Sequence, residues 1–126
     1  MGFLIVFLGA GLGGAMRHGM NMAAAHQFGA TFPYGTLIIN VSGSFMMGLV
    51  VEYFALRGHL PQDWRLFLTT GVLGGFTTFS AYSLEAALLY ERGQLASAAA
   101  YVVGSVILAI GALFAGLAIT RGIGNL

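Results

Sequence analysis

The chain has 126 residues, of which 58% are hydrophobic and only 7% charged, and its mean hydropathy is +0.87. A soluble domain carries about 25% charged residues, so this sequence cannot clothe a water-facing surface and is read as a membrane protein. The absence of cysteine excludes disulfides and thiolate metal sites. A net charge of +1, from five arginines, no lysine and four acids, excludes a basic patch for nucleic acid.

Residues 1–8 are apolar and lack the basic stretch that opens a signal peptide. Met-Gly begins the chain, but position 6 is Val6, so the myristoylation pattern fails, and this end is expected to be retained. Four apolar stretches follow, at about 2–25, 34–56, 64–90 and 95–119, each near the roughly 20 residues that span a bilayer. The connections are short: HQFGATFP around Pro33, RGHLPQD around Pro61, and ERGQ. The expected architecture is a single all-α domain over residues 1–126, with four transmembrane helices and both termini on one side.

The first stretch carries Gly9-Ala-Gly11-Leu-Gly13-Gly14, which matches G-x-G-x-x-G. A dinucleotide site needs a βαβ unit and an acid about 20 positions on, and the first acid in the chain is Glu52. The glycines are better explained by packing. Gly9, Gly13, Arg17 and Asn21 form one i+4 stripe in which the glycines admit a neighbouring backbone. Arg17 either faces the bundle interior or a wet cavity, or snorkels to the interface.

The second stretch carries Thr36, Asn40, Ser44, Gly48 and Glu52 at fourfold spacing. Thr36, Asn40 and Ser44 stay near one face, and the row has drifted round the helix by Glu52. The Asn40 amide offers two N–H donors where water is scarce; a helix–helix hydrogen bond explains it equally well. Glu52 lies near the Arg57 end and is expected to be interfacial.

The third stretch contains TTGVLGGFTTFSAYSLE, with glycines at 71, 74 and 75 and hydroxyls at Thr77, Thr78, Ser80 and Ser83. Rings stand at Phe76, Phe79 and Tyr82, and a carboxylate at Glu85. A helix that only faces lipid has no use for so many breakers and polar groups. Irregular backbone at membrane depth is tolerated only where protein buries it or it lines a wet path. A break near the middle of this helix, forming an ion site, is therefore expected.

The fourth stretch is mostly apolar, with Tyr101 and Ser105 on one face. Tyr101 is placed either in an interfacial aromatic belt or on a polar track. His18, His26 and His59 show no ligand spacing.

Arg57, Arg65 and Arg121 fall on the side of the termini and Arg92 on the other. Arginine asymmetry sets orientation, and this bias is weak. Insertion both ways, and an antiparallel homodimer about a twofold axis in the membrane plane, are expected.

The polar groups expected within the bilayer are Arg17, Asn40, Thr77, Thr78, Ser80, Ser83 and Glu85. Most are donors, which suits a small, strongly hydrated anion whose water shell must be replaced. The positive ring edges of Phe79 and Tyr82 suit an anion too. If the helix unwinds over 74–77, its freed carbonyls fit a monovalent cation, and a twofold axis would supply two carbonyls from each subunit. No nucleophile–base pair or metal-ligand cluster points to an enzyme.

The Gly-rich first helix ending in Arg17, the segment Gly35-Thr36-Leu-Ile-Ile-Asn40, and Gly74-Gly75-Phe-Thr-Thr-Phe79-Ser80-Ala-Tyr82-Ser83-Leu-Glu85 together resemble the small bacterial fluoride channels of the Fluc type. The resemblance covers nearly the whole chain. It implies a dual-topology dimer in the bacterial cytoplasmic (inner) membrane, with two antiparallel pores that let fluoride leave the cell passively. It places Asn40, Phe79 and Tyr82 along the pores, and Ser80, Ser83, Glu85 and Tyr101 on a polar track. It also implies a structural sodium ion at the dimer centre, held by the carbonyls of Gly74 and Thr77, and no organic cofactor. Arg17 and Ser105 match positions usual in the family. The chain departs from the pattern at Tyr82, where a second Phe is usual, and at Ala81, where the track often has Thr. A proton-coupled exporter of the small multidrug type would need a carboxylate in the first helix, which has none. A non-transporting assembly subunit would leave the hydroxyls of 77–83 unexplained.

Overall fold

Glycine and proline set the ends of the spans. The computed structural model describes residues 1–124. Helix α1 (Gly2–Phe28) stops at Gly29, whose φ of 78° is a left-handed conformation and whose N–H still bonds the Ala25 carbonyl; only glycine adopts it without strain. Pro33 precedes α2 (Tyr34–Leu56), and Pro61 precedes α3 (Gln62–Leu66), where a residue without an N–H is tolerated. Gly93, also left-handed, turns the chain between α5 (Phe79–Glu91) and α6 (Leu95–Gly124).

Among the described residues four segments are long and apolar enough to cross a membrane: Gly2–Phe28, Tyr34–Leu56, the composite Gln62–Glu91, and Leu95–Gly124. The helices run past the apolar stretches that end at 25, begin at 64 and end at 119. Hydropathy marks where side chains turn polar, whereas a helix continues until a residue such as Gly29 cannot follow.

The third span has an uneven backbone. After α3 comes a π-helical segment, Phe67–Leu73, and then a single short turn, α4 (Gly74–Phe76). The hydropathy pattern carries no mark of the π segment. Thr77 and Thr78 are extended, with φ/ψ of −78°/157° and −151°/122°, and α5 starts at Phe79. Gly74, expected in unwound backbone, is helical at −62°/−38° because its N–H bonds the carbonyls of Thr69 and Gly71. Thr78 caps α5: its Oγ1 accepts from the Ala81 N–H at 3.2 Å, satisfying one of the orphan donors at a helix start.

Small residues hold the spans together. Gly48 of α2 and Gly116 of α6 face each other, and a side chain on either would run into the other helix's backbone, at Leu113 O and Phe45 O respectively. Gly9 and Gly13 of α1 are buried against the third span; a Cβ on Gly9 would stand 2.8 Å from Gly71 Cα. Lipid gives helices no hydrophobic reason to associate, so such close van der Waals packing is what joins them. The buried centre is small: Tyr82, Leu89 and Tyr101, with Phe32, Leu37, Ala86 and Ala98 packed around them.

Candidate functional site

Asn40 lies on α2, one turn after Thr36, and meets the extended residues of the third span. Its Nδ2 donates to Thr78 O at 3.0 Å, and its Oδ1 accepts from the Thr78 N–H at 2.8 Å. In an unbroken helix that N–H would bond Gly74 O. The Asn40 amide thus replaces a missing helical turn and ties α2 to the third span. Thr78 Oγ1 also lies 3.3 Å from Ser80 Oγ.

One turn away on α2, Thr36 joins a second cluster. Thr36 Oγ1 donates to Glu85 Oε1 at 2.8 Å, and the Tyr101 hydroxyl donates to Glu85 Oε2 at 2.9 Å. Each carboxylate oxygen therefore holds one hydroxyl, and α2, α5 and α6 are tied together at this point. Tyr101 and Thr36 are both 1% exposed, which rules out an interfacial belt for Tyr101. Thr36 was missing from the sequence-based site, although its fourfold spacing from Asn40 was a signal for it.

Rings connect the two clusters. Tyr82 sits between Phe79, with centroids 5.4 Å apart, and Tyr101, at 5.2 Å; Phe32 meets the Tyr101 ring edge-on at 5.6 Å. The Tyr82 hydroxyl donates to the Val102 carbonyl of α6 at 2.8 Å. Phe79 is 76% exposed on the outer face of the helix bundle, whereas Tyr82 is buried.

Two openings flank this row. A groove of about 290 Å³ is lined by Asn40, Thr77, Thr78, Phe79, Tyr82 and Ser105, among others. A pocket of about 210 Å³ at the loop end is lined by Asn21, Thr36, Glu85 and Arg92, among others. Ser105 is 6% exposed and its Oγ has no hydrogen-bond partner among the described residues; an unpaired buried hydroxyl is uncommon, and this one borders the groove.

Other expected site residues are placed differently. Thr77 Oγ1 donates back to Leu73 O at 3.0 Å, and Ser83 Oγ to Phe79 O at 2.9 Å with Ser83 exposed. Arg17 is half-buried and lines neither opening. Glu52 pairs with Arg121 Nε at 3.2 Å. Among the described residues there is no group of three or more His, Cys, Asp or Glu that could hold a metal.

Residues 4–117 match the family described as CrcB-like protein, Camphor Resistance (CrcB). The chain belongs to this family. Similar CrcB-like proteins include Fluoride-specific ion channel FluC 2 of Nitrobacter hamburgensis, 60% identical over 121 residues that cover 96% of this chain and 98% of the relative. Fluoride-specific ion channel FluC of Methylobacterium nodulans is 62% identical over 121 residues, 96% of this chain and 97% of that one. The protein of the same name from Rhodopseudomonas palustris BisB5 is 59% identical over 123 residues, 98% and 99% of the two chains. The resemblance drawn from the sequence and the family match agree.

Proposed function

We propose that this CrcB-like protein is a fluoride-selective channel that lets fluoride leave the cell passively across the inner membrane. The observation that carries the reading is a row of hydroxyl and amide groups, from Asn40 and Thr78 to Tyr101, Thr36 and Glu85, running between two openings in otherwise apolar helices. Relatives sharing about three-fifths of their residues over almost the whole chain bear the name fluoride-specific ion channel. Fluoride is small and strongly hydrated, so donors must replace its water. The ring edges of Phe79 and Tyr82 supply further positive potential. The two hydroxyls that donate to Glu85 hold its carboxylate in a fixed position beside the path.

The site also supports an antiparallel dimer. One protomer leaves the Asn40–Phe79 groove open on its outer face and Phe79 bare, where polar walls would meet hydrocarbon at a cost. A second copy would close the groove and complete the pore. A structural sodium ion at the twofold axis fits the same arrangement. Gly74 is exposed, and its carbonyl loses its ordinary helical donor because the Thr78 N–H goes to Asn40. The carbonyls of Gly74 and Thr77 from two protomers would hold the ion, and it would join the third spans.

The test is fluoride efflux from liposomes carrying the purified dimer, followed with a fluoride electrode, with chloride efflux as the control. Fast fluoride release without chloride release is expected. No fluoride release from well-reconstituted dimers overturns the proposal.

A further inference from the structure

At the end of the bundle where α2 finishes and α3 begins, a second and more apolar groove of about 490 Å³ opens between α2, α3 and α6. Its walls include Tyr53, Phe54, Trp64, Leu68 and Ile123. The volume is that of a small-molecule pocket, and in a bilayer such a groove is filled by hydrocarbon or by protein.

The charge at its rim favours one occupant. The Arg57 guanidinium carbon lies 5.3 Å from the centroid of the Tyr53 ring, which forms part of the wall. Among the described residues Arg57 makes no ion pair, and the acid of α2, Glu52, pairs with Arg121. Arg65 and His59, at the same end, are exposed. Asp63 opposes them from a separate pocket beside Trp64, with Ile5 and Phe67. Positive charge is thus left in excess where an apolar groove meets the interface, and Tyr53 and Trp64 are ring types that settle at that level.

We propose that this groove binds an anionic phospholipid, with an acyl chain along Tyr53, Trp64 and Leu68 and the headgroup phosphate on Arg57. The proposal does not depend on what the pore conducts.

The single tryptophan, Trp64, is 60% exposed and gives a direct reading. The protein is reconstituted in phosphatidylcholine vesicles containing a minor fraction of phosphatidylglycerol, with bromine on the acyl chains of one lipid or the other, and Trp64 quenching is measured. One interfacial arginine enriches anionic lipid by roughly fivefold. Brominated phosphatidylglycerol is therefore expected to quench Trp64 as if its local share were roughly fivefold above bulk. Arg57→Gln is expected to bring the quenching down to the bulk share, and Arg57→Lys to keep most of the excess. Arg92→Gln, at the opposite end, should leave the Trp64 quenching unaltered. Quenching that follows the bulk composition in the unaltered protein overturns the proposal. So does an excess that survives Arg57→Gln. A Trp64 that no brominated lipid quenches means a second copy covers the groove, and overturns it as well.

Discussion

The side chain of Asn40 and the backbone of Thr78 form a two-way pair, with Nδ2 donating to Thr78 O at 3.0 Å and Oδ1 accepting from Thr78 N–H at 2.8 Å. An amide is the group that can do both. Asn40→Asp keeps the acceptor, loses the donor and adds a charge beside the groove. It is expected to destabilise the protein by about 1–3 kcal/mol, the cost of a buried polar group left unpaired, and to slow fluoride efflux at least about tenfold through repulsion of the anion. Unfolding in detergent and electrode-recorded efflux check the two effects separately.

Tyr82 spends its hydroxyl on the Val102 carbonyl, so the hydroxyl acts as a tie between α5 and α6, and the ring edge remains for the groove. Tyr82→Phe should lower stability by about 1 kcal/mol and leave fluoride release within about twofold. Loss of release in a well-folded Phe variant would show that the hydroxyl itself serves the ion.

Glu85 depends on two separate hydroxyls. Thr36→Val and Tyr101→Phe each take one hydroxyl donor from a part-buried carboxylate oxygen, at an expected cost of about 1–3 kcal/mol. Adding Glu85→Gln to either variant should recover part of that loss, because an uncharged amide is cheaper to leave half-paired. A double-mutant cycle measured by unfolding in detergent reads the coupling.

Gly48 and Gly116 mark one of the tight backbone crossings of the fold, and their substitution should be damaging, as should that of Gly13 against Val72 O. A Cβ at Gly48 would overlap the Leu113 carbonyl, and backbone cannot move aside as a flexible side chain can. Gly48→Ala is expected to cost about 1–3 kcal/mol or more by overpacking. Gly111→Ala, inside α6 and with nothing within 4 Å among the described residues, should leave the protein as stable or raise its stability by about 0.4–1 kcal/mol. Size-exclusion chromatography with thermal unfolding of both variants provides the comparison.

Much of the fold is legible in the sequence. Four apolar stretches of spanning length and almost no charge left only an all-helical membrane protein, because the backbone must satisfy its own hydrogen bonds in hydrocarbon. The stretch from Thr69 to Glu85 stood out by composition alone, since hydroxyls, glycines and a carboxylate are costly in lipid without a purpose. The small-residue stripe of α1 was legible for the same kind of reason: Gly9 and Gly13 recur at fourfold spacing, and they face the third span.

What the tertiary structure decided is which groups meet. Spacing placed Thr36 and Asn40 on one face of α2, but only the packing of three helices showed that Thr36 reaches Glu85, 49 positions on, and that Asn40 replaces the donor and acceptor of a missing turn at Thr78. Tyr101 could have faced the interface; the closeness of α5 and α6 buried it on Glu85. The π-helical Phe67–Leu73 and the helical state of Gly74 were equally hidden, since they depend on which carbonyl each N–H finds. Residue chemistry and period are properties of the chain itself. Hydrogen-bond partners far apart in sequence depend on the relative placement of helices, which no single helix contains.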